Sequence, residues 1–362
     1  MKFAIVFFPT VGGKNGELTP TQYYDDGLAI AELADRLGYF QLKLVEHYFF
    51  EYGGYSPDPT TFLAAVAART SRLRIATGAV IPAFTHPVKM SGQLAMLDNI
   101  SGGRLDVGFG RAFLPDEFDA FGIPLDQSRA RFDENVEACL RLWTEDDLTW
   151  DGTFHQFGPV TMLPKPTQQP HPPVFVASTG NLDSCRTAGE QGRNLQLIAS
   201  VATRETIQEA LGVYRRAWAQ AGHTPGTERI DLSFPCFIDE DREAAYRAGE
   251  YVERKMSEKM ASAVSAWATV KSDQYPGYER LASAAVGNGA AFDERVKNNK
   301  VLAGTPDDVR GQLADIAEWY GDDITVGLSV FSGHLPRADV ERGLELFAKH
   351  VAPTFADDRE PR

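Results

Sequence analysis

The chain has 362 residues, 43% hydrophobic and 24% charged, with a formal net charge of −14. That length and apolar content suffice for a sizeable core, whereas the acidic balance argues against nucleic acid or an anionic membrane surface as the main partner. Three cysteines (Cys139, Cys185, Cys236) form neither a CxxC pair nor a metal-like cluster, and an odd count gives no disulfide framework, so reduced thiols in a cytoplasmic protein are expected. Phe3 to Phe8 is a continuous apolar run, as expected of a strand buried on both faces; Pro9 interrupts it too early for a signal peptide. Thr21 to Leu37 carries apolar residues at helical spacing and is followed by Gly38 in the C-cap position. Phe40 to Val45 reads as the second strand, Thr60 to Thr70 as an alanine-rich helix and Ile75 to Ile81 as the third strand. A helix from about Val88 to Leu97, a Ser101–Gly103 turn and a fourth strand, Leu105 to Phe109, complete a parallel βαβ unit.

Arg129 to Trp143 is a further helix, and a hairpin is expected over Thr149 to Phe157, turning at Asp151-Gly152. A proline-rich approach leads to a fifth strand, Val174 to Ala177. Leu195 to Ile198, Asp231 to Ile238 and Ile324 to Val330 supply the sixth, seventh and eighth. Eight strands separated mostly by helices predict one (β/α)₈ TIM barrel over residues 1–362, with insertions after strands 4 and 7. The second insertion, about 240–303, turns rich in Ala, Ser and Gly at Ala282 to Ala291 and reads as a mobile lid. Thr305, Pro306, Asp307 and Asp308 form a helix start with N-cap, N1 proline and acidic first turn. No apolar stretch reaches the roughly 20 residues that span a bilayer, so no membrane partner is expected.

In a parallel barrel the C-terminal strand ends face the active site. Glu46-His47 stands at the end of strand two, where a histidine can move a proton and where a structural hydrogen bond is the alternative role. Tyr48, Phe49, Phe50 and Tyr52 follow, a set that suits a flat heterocycle or an ordinary core. Gly110-Arg111 ends strand four; the glycine admits close backbone approach, and the arginine suits a phosphate or a surface ion pair. Ser178, Thr179 and Asn181 after strand five could cap a helix or help hold an anion at its N-terminus. The small Gly78 and Ala79 on strand three leave room for a planar ring, or mark a bulge. His86 and His334 are further residues at strand mouths. There is no GxxxxGK[ST], HExxH or GxSxG motif, and no metal-binding pattern.

The stretches EHYFFEYGGYSPDP and AARTSRLRIATGAVIPAFTHPVKMSGQLAMLDNISGGRLDVGFGRA, with GTPDDVRGQLADIAEWYG, GLSVFSG and LELFAKHVAPTF near the C-terminus, resemble the bacterial-luciferase-like flavin monooxygenases. The resemblance implies a homodimer paired through helices near strands two and three. It implies reduced FMN delivered by a separate flavin reductase, and a C4a-(hydro)peroxyflavin that oxygenates a small organic or carrier-bound substrate. By position, His47 would be the acid/base residue, Glu46 would lie beside it under the ring, and Gly78-Ala79, often a cis peptide in the family, would face the isoalloxazine. Arg111 with Ser178, Thr179 or Asn181 would hold the phosphate. Where some luciferases have a reactive cysteine this chain has Gly110, so thiol chemistry and light emission are not expected. After strand five the family's Ser-Pro-Glu-Ser-like run is replaced by Asn181-Leu182-Asp183-Ser184, which leaves open which hydroxyl meets the phosphate. Two other readings remain: an F420-dependent oxidoreductase that transfers hydride without O₂, and a non-catalytic flavin-binding barrel.

Overall fold

The computed structural model describes residues 1–11, 18–281 and 291–355. Strand β1 (Lys2–Phe7) leads to helix α1 (Pro20–Leu37), followed by β2 (Gln41–Leu44), α2 (Pro59–Arg69), β3 (Arg74–Thr77), α3 (Pro87–Ile100) and β4 (Leu105–Phe109). The short α4 (Pro115–Ala120) and α5 (Ser128–Thr144) precede the antiparallel hairpin of β5 (Leu148–Asp151) and β6 (Gln156–Val160). The chain continues through β7 (Val174–Ser178), α6 (Leu182–Glu190), β8 (Asn194–Leu197), α7 (Arg204–Gln220) and β9 (Ile230–Ile238). After β9 come α8 (Arg242–Ala263), α9 (Phe292–Lys297), β10 (Leu302–Gly304), α10 (Pro306–Tyr320), β11 (Thr325–Phe331) and α11 (Arg337–His350). Parallel pairing runs β9-β11-β1-β2-β3-β4-β7-β8, and β8 returns to β9, closing an eight-stranded barrel. The expected TIM barrel is therefore present, with additional segments after its fourth and seventh strands. The short β10 pairs alongside the end of β9.

Local sequence explains where the helices begin. A capping side chain followed by proline at the first helical position recurs at Thr19-Pro20, Asp58-Pro59, His86-Pro87 and Thr305-Pro306. Thr305 and Asp308 form the reciprocal capping box, so the helix start read from the sequence is the one observed. Alternation along the strands divides the interior. Leu42, Leu44, Leu105, Val107, Phe109, Leu195 and Leu232 belong to the apolar core cluster. Lys43, Asp106, Gln196 and Asp231 alternate with them and are buried without joining that cluster.

Those polar residues are paired across strands. Asp106 is fully buried and accepts from Arg74 Nε (3.0 Å) and Nη2 (2.6 Å), from Arg229 Nη1 (2.8 Å) and Nη2 (2.7 Å), and from Gln41 Nε2 (2.5 Å). Lys43 and Asp231 form a second buried pair at 2.6 Å.

The second insertion sits over the barrel mouth. Trp267 and Tyr275, both buried, pack with Ala112, Leu114 and Phe118. Trp267 Nε1 donates to the Phe113 carbonyl (2.9 Å), and the Tyr275 hydroxyl donates to the Ala112 carbonyl. Of the insertion expected to be a lid, about 240–303, residues 282–290 lie outside the described residues.

Burial alone would raise the Asp106 carboxyl, but hydrogen bonds from Arg229 and Arg74 outweigh it and hold it below the usual aspartate value. Its contribution to stability is thus present above the unfolded-chain value of 3.8 and lost as pH falls through the lower folded value. Asp106→Asn should lower unfolding free energy by about 3 kcal/mol at neutral pH, as expected when one partner of a buried ion pair is removed. A change under about 0.5 kcal/mol in urea denaturation, typical of an ordinary surface site, would show that the cluster does not hold the barrel.

Candidate active site

Strands β3 and β4 separate near their C-terminal ends. The Thr77 hydroxyl fills the gap, donating to the Gly108 carbonyl and accepting from the Gly108 N–H, each at 2.8 Å. The third strand therefore stops at Thr77 rather than continuing to Ile81. Val80 N–H then donates to Gly108 O, and Gly110 N–H to Val80 O, at 2.9 and 2.8 Å. The Gly78-Ala79 peptide between them is cis. A Cβ on Gly110 would lie 3.0 Å from that of Ala79 and 3.9 Å from that of Ala177. Three strand ends thus form a shelf of small residues.

Glu46 and His47 follow β2. Glu46 Oε1 accepts from the Tyr48 hydroxyl (2.6 Å) and Oε2 from the Ile81 N–H (3.1 Å), which ties the end of β2 to the loop after β3. Burial pushes the Glu46 carboxyl up to about 8, against the opposing hydrogen bonds from Tyr48 and Ile81. His47, 9% exposed, donates through Nδ1 to Glu117 Oε1 (3.2 Å); the same oxygen accepts from the Tyr48 N–H (2.9 Å). This bond assigns the proton to Nδ1 and leaves Nε2 without a protein partner among the described residues. Gly53, at φ +74°, lets the following loop press against the ring: a Cβ there would lie 2.8 Å from His47 Cδ2. Phe8, Tyr52 and Phe113 surround the imidazole with ring centroids 5.8, 5.4 and 5.9 Å away.

Arg111 lies beyond the shelf. Its Nη2 donates to the Gln274 carbonyl (2.9 Å), and its guanidinium stacks 4.2 Å from the Tyr275 ring centre. With Arg129, Arg193, Asp133, Ser184, Thr187, Val176 and Ala177 it lines a small pocket between α5 and α6. Three arginines face one carboxylate, a local positive excess in a chain of net charge −14. Arg193 is 6% exposed, and its guanidinium has neither a hydrogen bond nor an ion pair within 4 Å among the described residues. Burial pushes the Arg193 and Arg111 guanidinium pKa values down, against the opposing pull of Asp133 on both and of Glu137 on Arg193.

The residues expected at the fifth barrel strand are placed differently from one another. Asn181 caps α6, its Oδ1 accepting from the Ser184 N–H (2.9 Å), and Ser178 Oγ accepts from the Gly180 N–H (3.1 Å). Ser178, Thr179 and Asn181 do not line the arginine pocket, whereas Ser184 does. His86 caps α3, and His334 Nε2 lies 2.9 Å from Thr10 Oγ1. Sequence reasoning missed Glu117, Arg129 and Arg193. Glu117 looks like ordinary acidic decoration of a helix start, and Arg129 and Arg193 stand in no motif. Among the described residues no group of three His, Cys, Asp or Glu could hold a metal ion, and no helix is long and apolar enough to cross a membrane.

A sequence model of the luciferase-like monooxygenases matches residues 1–323. The crystal structure of monooxygenase RslO1 from Streptomyces bottropensis superposes with a TM-score of 0.88 at 49% identity, covering 98% of this chain and 100% of that one. The oxygenase component of the flavin-dependent trigonelline monooxygenase of Acinetobacter baylyi is 31% identical over 64% of each chain. The FMNH₂-dependent dimethylsulfone monooxygenase of Pseudomonas putida is 25% identical over 92% of this chain and 88% of its own. Against some curated relatives the match is partial: it spans 54% and 60% of two Sinorhizobium fredii proteins.

The Glu46 carboxyl gives a pH signature. Its folded value of about 8 lies above the ordinary 4.5, so its contribution is fully present below 4.5 and lost as pH rises through about 8. The stability of the protein relative to its Glu46→Gln variant should therefore fall steadily across that interval in denaturation midpoints. Parallel pH profiles for the two proteins would show that Glu46 is not held protonated.

Proposed function

The chain belongs to the luciferase-like monooxygenase family, and from that premise we propose that it uses reduced FMN and O₂ to oxygenate a small organic or carrier-bound substrate. The observation that carries the choice of cofactor is the pocket in which Arg111, Arg129 and Arg193 outnumber Asp133. A phosphate dianion fits that charge and the bidentate geometry of arginine. In this reading Arg111, Arg129, Arg193 and Ser184 hold the phosphate, while Ala79, Gly110 and Ala177 give the flat ring a floor without protruding side chains. The bound reduced flavin supplies the electrons and activates the oxygen.

The chain's own groups do the rest. Glu46, neutral near pH 7, places no buried negative charge beside an electron-rich ring. Glu117 fixes the His47 imidazole by its Nδ1–H, so Nε2 is presented to accept or return the substrate's proton. Phe8, Tyr52 and Phe113 shield that nitrogen from bulk water. The sequence shows no nicotinamide-binding fingerprint, and a relative is named as an oxygenase component, which together support a separate reductase as the source of reduced FMN. Met96 and Ile100, 56% and 47% exposed on α3, support self-pairing through that helix.

Anaerobic titration with reduced FMN and, separately, reduced F420, followed by rapid mixing with O₂, tests the reading. Tight FMN binding and an oxygen-dependent absorbance transient are expected. Tight F420 binding with no transient would transfer the chain to hydride chemistry, and release of only H₂O₂ with every substrate would favour a non-catalytic barrel. Arg193→Met should weaken FMN binding by about 1.5–3 kcal/mol, the range for hydrogen bonds to charged groups, and leave riboflavin almost unaffected. An equal loss for both ligands would remove the phosphate from this pocket. His47→Ala should keep FMN affinity within a few fold while product formation drops by about 10²-fold or more. Undiminished turnover would exclude His47 from proton transfer.

A further inference from the structure

Two polar groups at the barrel mouth have no partner among the described residues: His47 Nε2 and the hydroxyl of Tyr52. The Tyr52 ring is fixed from two sides, 4.7 Å from Phe8 and 5.4 Å from His47 by centroids. Burial, with a smaller contribution from the Glu117 carboxylate, pushes its phenol up to about 12, so it stays a neutral donor at any physiological pH. Phe113 adds a wall on the other side of the imidazole, and Tyr278 extends it at 6.2 Å. Phe8, Tyr52, Phe113 and Tyr278 are all only partly buried, so aromatic surface remains uncovered around a histidine that is almost enclosed. The Arg111 guanidinium, stacked on Tyr275, acts on Tyr278 at the far edge of this set. Both polar atoms keep some access to solvent, so a ligand can reach them, and aromatic walls favour a flat apolar body.

We infer that Tyr52 is a specificity-determining residue: with His47 Nε2 it holds the hydroxyl oxygen of an uncharged phenolic substrate, whose rings lie against Phe8, Phe113 and Tyr278. The tyrosine donates to that oxygen, and the imidazole accepts the phenolic proton. A substrate carboxylate at this oxygen is disfavoured, because the Glu117 carboxylate lies against the imidazole. The inference rests on His47 being the proton-handling group of the proposed monooxygenase, and it names the substrate class for that site.

The test compares 2-naphthol with naphthalene by calorimetry, with and without FMN, in the wild-type protein and in Tyr52→Phe. Water favours the naphthol, so a wild-type preference for naphthol of about tenfold or more is expected to come from the protein's polar groups. In Tyr52→Phe the preference should shrink to within about twofold, with naphthalene affinity unchanged. A preference that survives the substitution would overturn the role of Tyr52, and failure of the wild type to bind or prefer naphthol would overturn the substrate class. FMN titration of both proteins is read independently: unchanged FMN affinity in Tyr52→Phe shows an intact fold. Absence of FMN binding in either protein would sink the cofactor reading while leaving the naphthol comparison to be judged by itself.

Discussion

A carboxylate without access to water sets the geometry of this barrel. Asp106 on β4 is satisfied by groups from β2, β3 and the residue preceding β9, so four parts of a closed sheet must stand at one height for the charge to be compensated. A slip of one residue on any of those strands would turn its inward group outward and strand a buried charge, which is far more costly than misplacing an apolar side chain. Lys43 and Asp231 repeat the arrangement between β2 and β9. Hydrophobic burial outside the barrel supplies most of the driving force for collapse, but it tolerates exchange among Val, Ile and Leu. The ionic interior supplies the register.

The candidate site inherits that register. Because β2, β3, β4 and β7 are fixed relative to one another, Glu46, Ala79, Gly110 and Ala177 reach the same end of the barrel together. Above them the ladder gives way to side-chain substitutes. Thr77 replaces a strand pairing by bonding both polar groups of Gly108, and Glu46 takes the Ile81 N–H that a longer third strand would have used. The opening is therefore built by polar side chains that satisfy backbone groups of Gly108 and Ile81 where the strands part.

Much of this was legible in the sequence. Eight apolar runs separated by helical periods gave the barrel, and Thr305-Pro306 gave a helix start, because both are local patterns with local causes. The end of β3 was misjudged at Ile81 because Val80 and Ile81 are as apolar as the strand before them; only the hydrogen bonds show that the ladder breaks after Thr77, with a single bridge resumed at Val80. Glu46, His47 and Arg111 could be singled out because they follow strands. Glu117 and Arg193 could not. Glu117 reaches His47 only once α4 folds back over the mouth, and Arg193 joins Arg111 in one pocket across a separation of 82 positions. For Ser178, Thr179 and Asn181 the sequence located the right loop without saying which hydroxyls the loop would spend on its own turn and cap.

The way the second insertion is fastened bears on how such a barrel diversifies. Trp267 and Tyr275 grip the carbonyls of Phe113 and Ala112, and Arg111 reaches back to the carbonyl of Gln274. Three of these anchors are main-chain oxygens, present whatever side chain the residue carries. The hydrogen bond to the Phe113 carbonyl thus persists whatever side chain stands there, whereas the Phe113 ring both faces His47 and packs against Tyr278 of the insertion. One residue thus anchors the insertion by its carbonyl and walls the chamber by its ring, so a change of side chain reshapes the chamber while that hydrogen bond is kept.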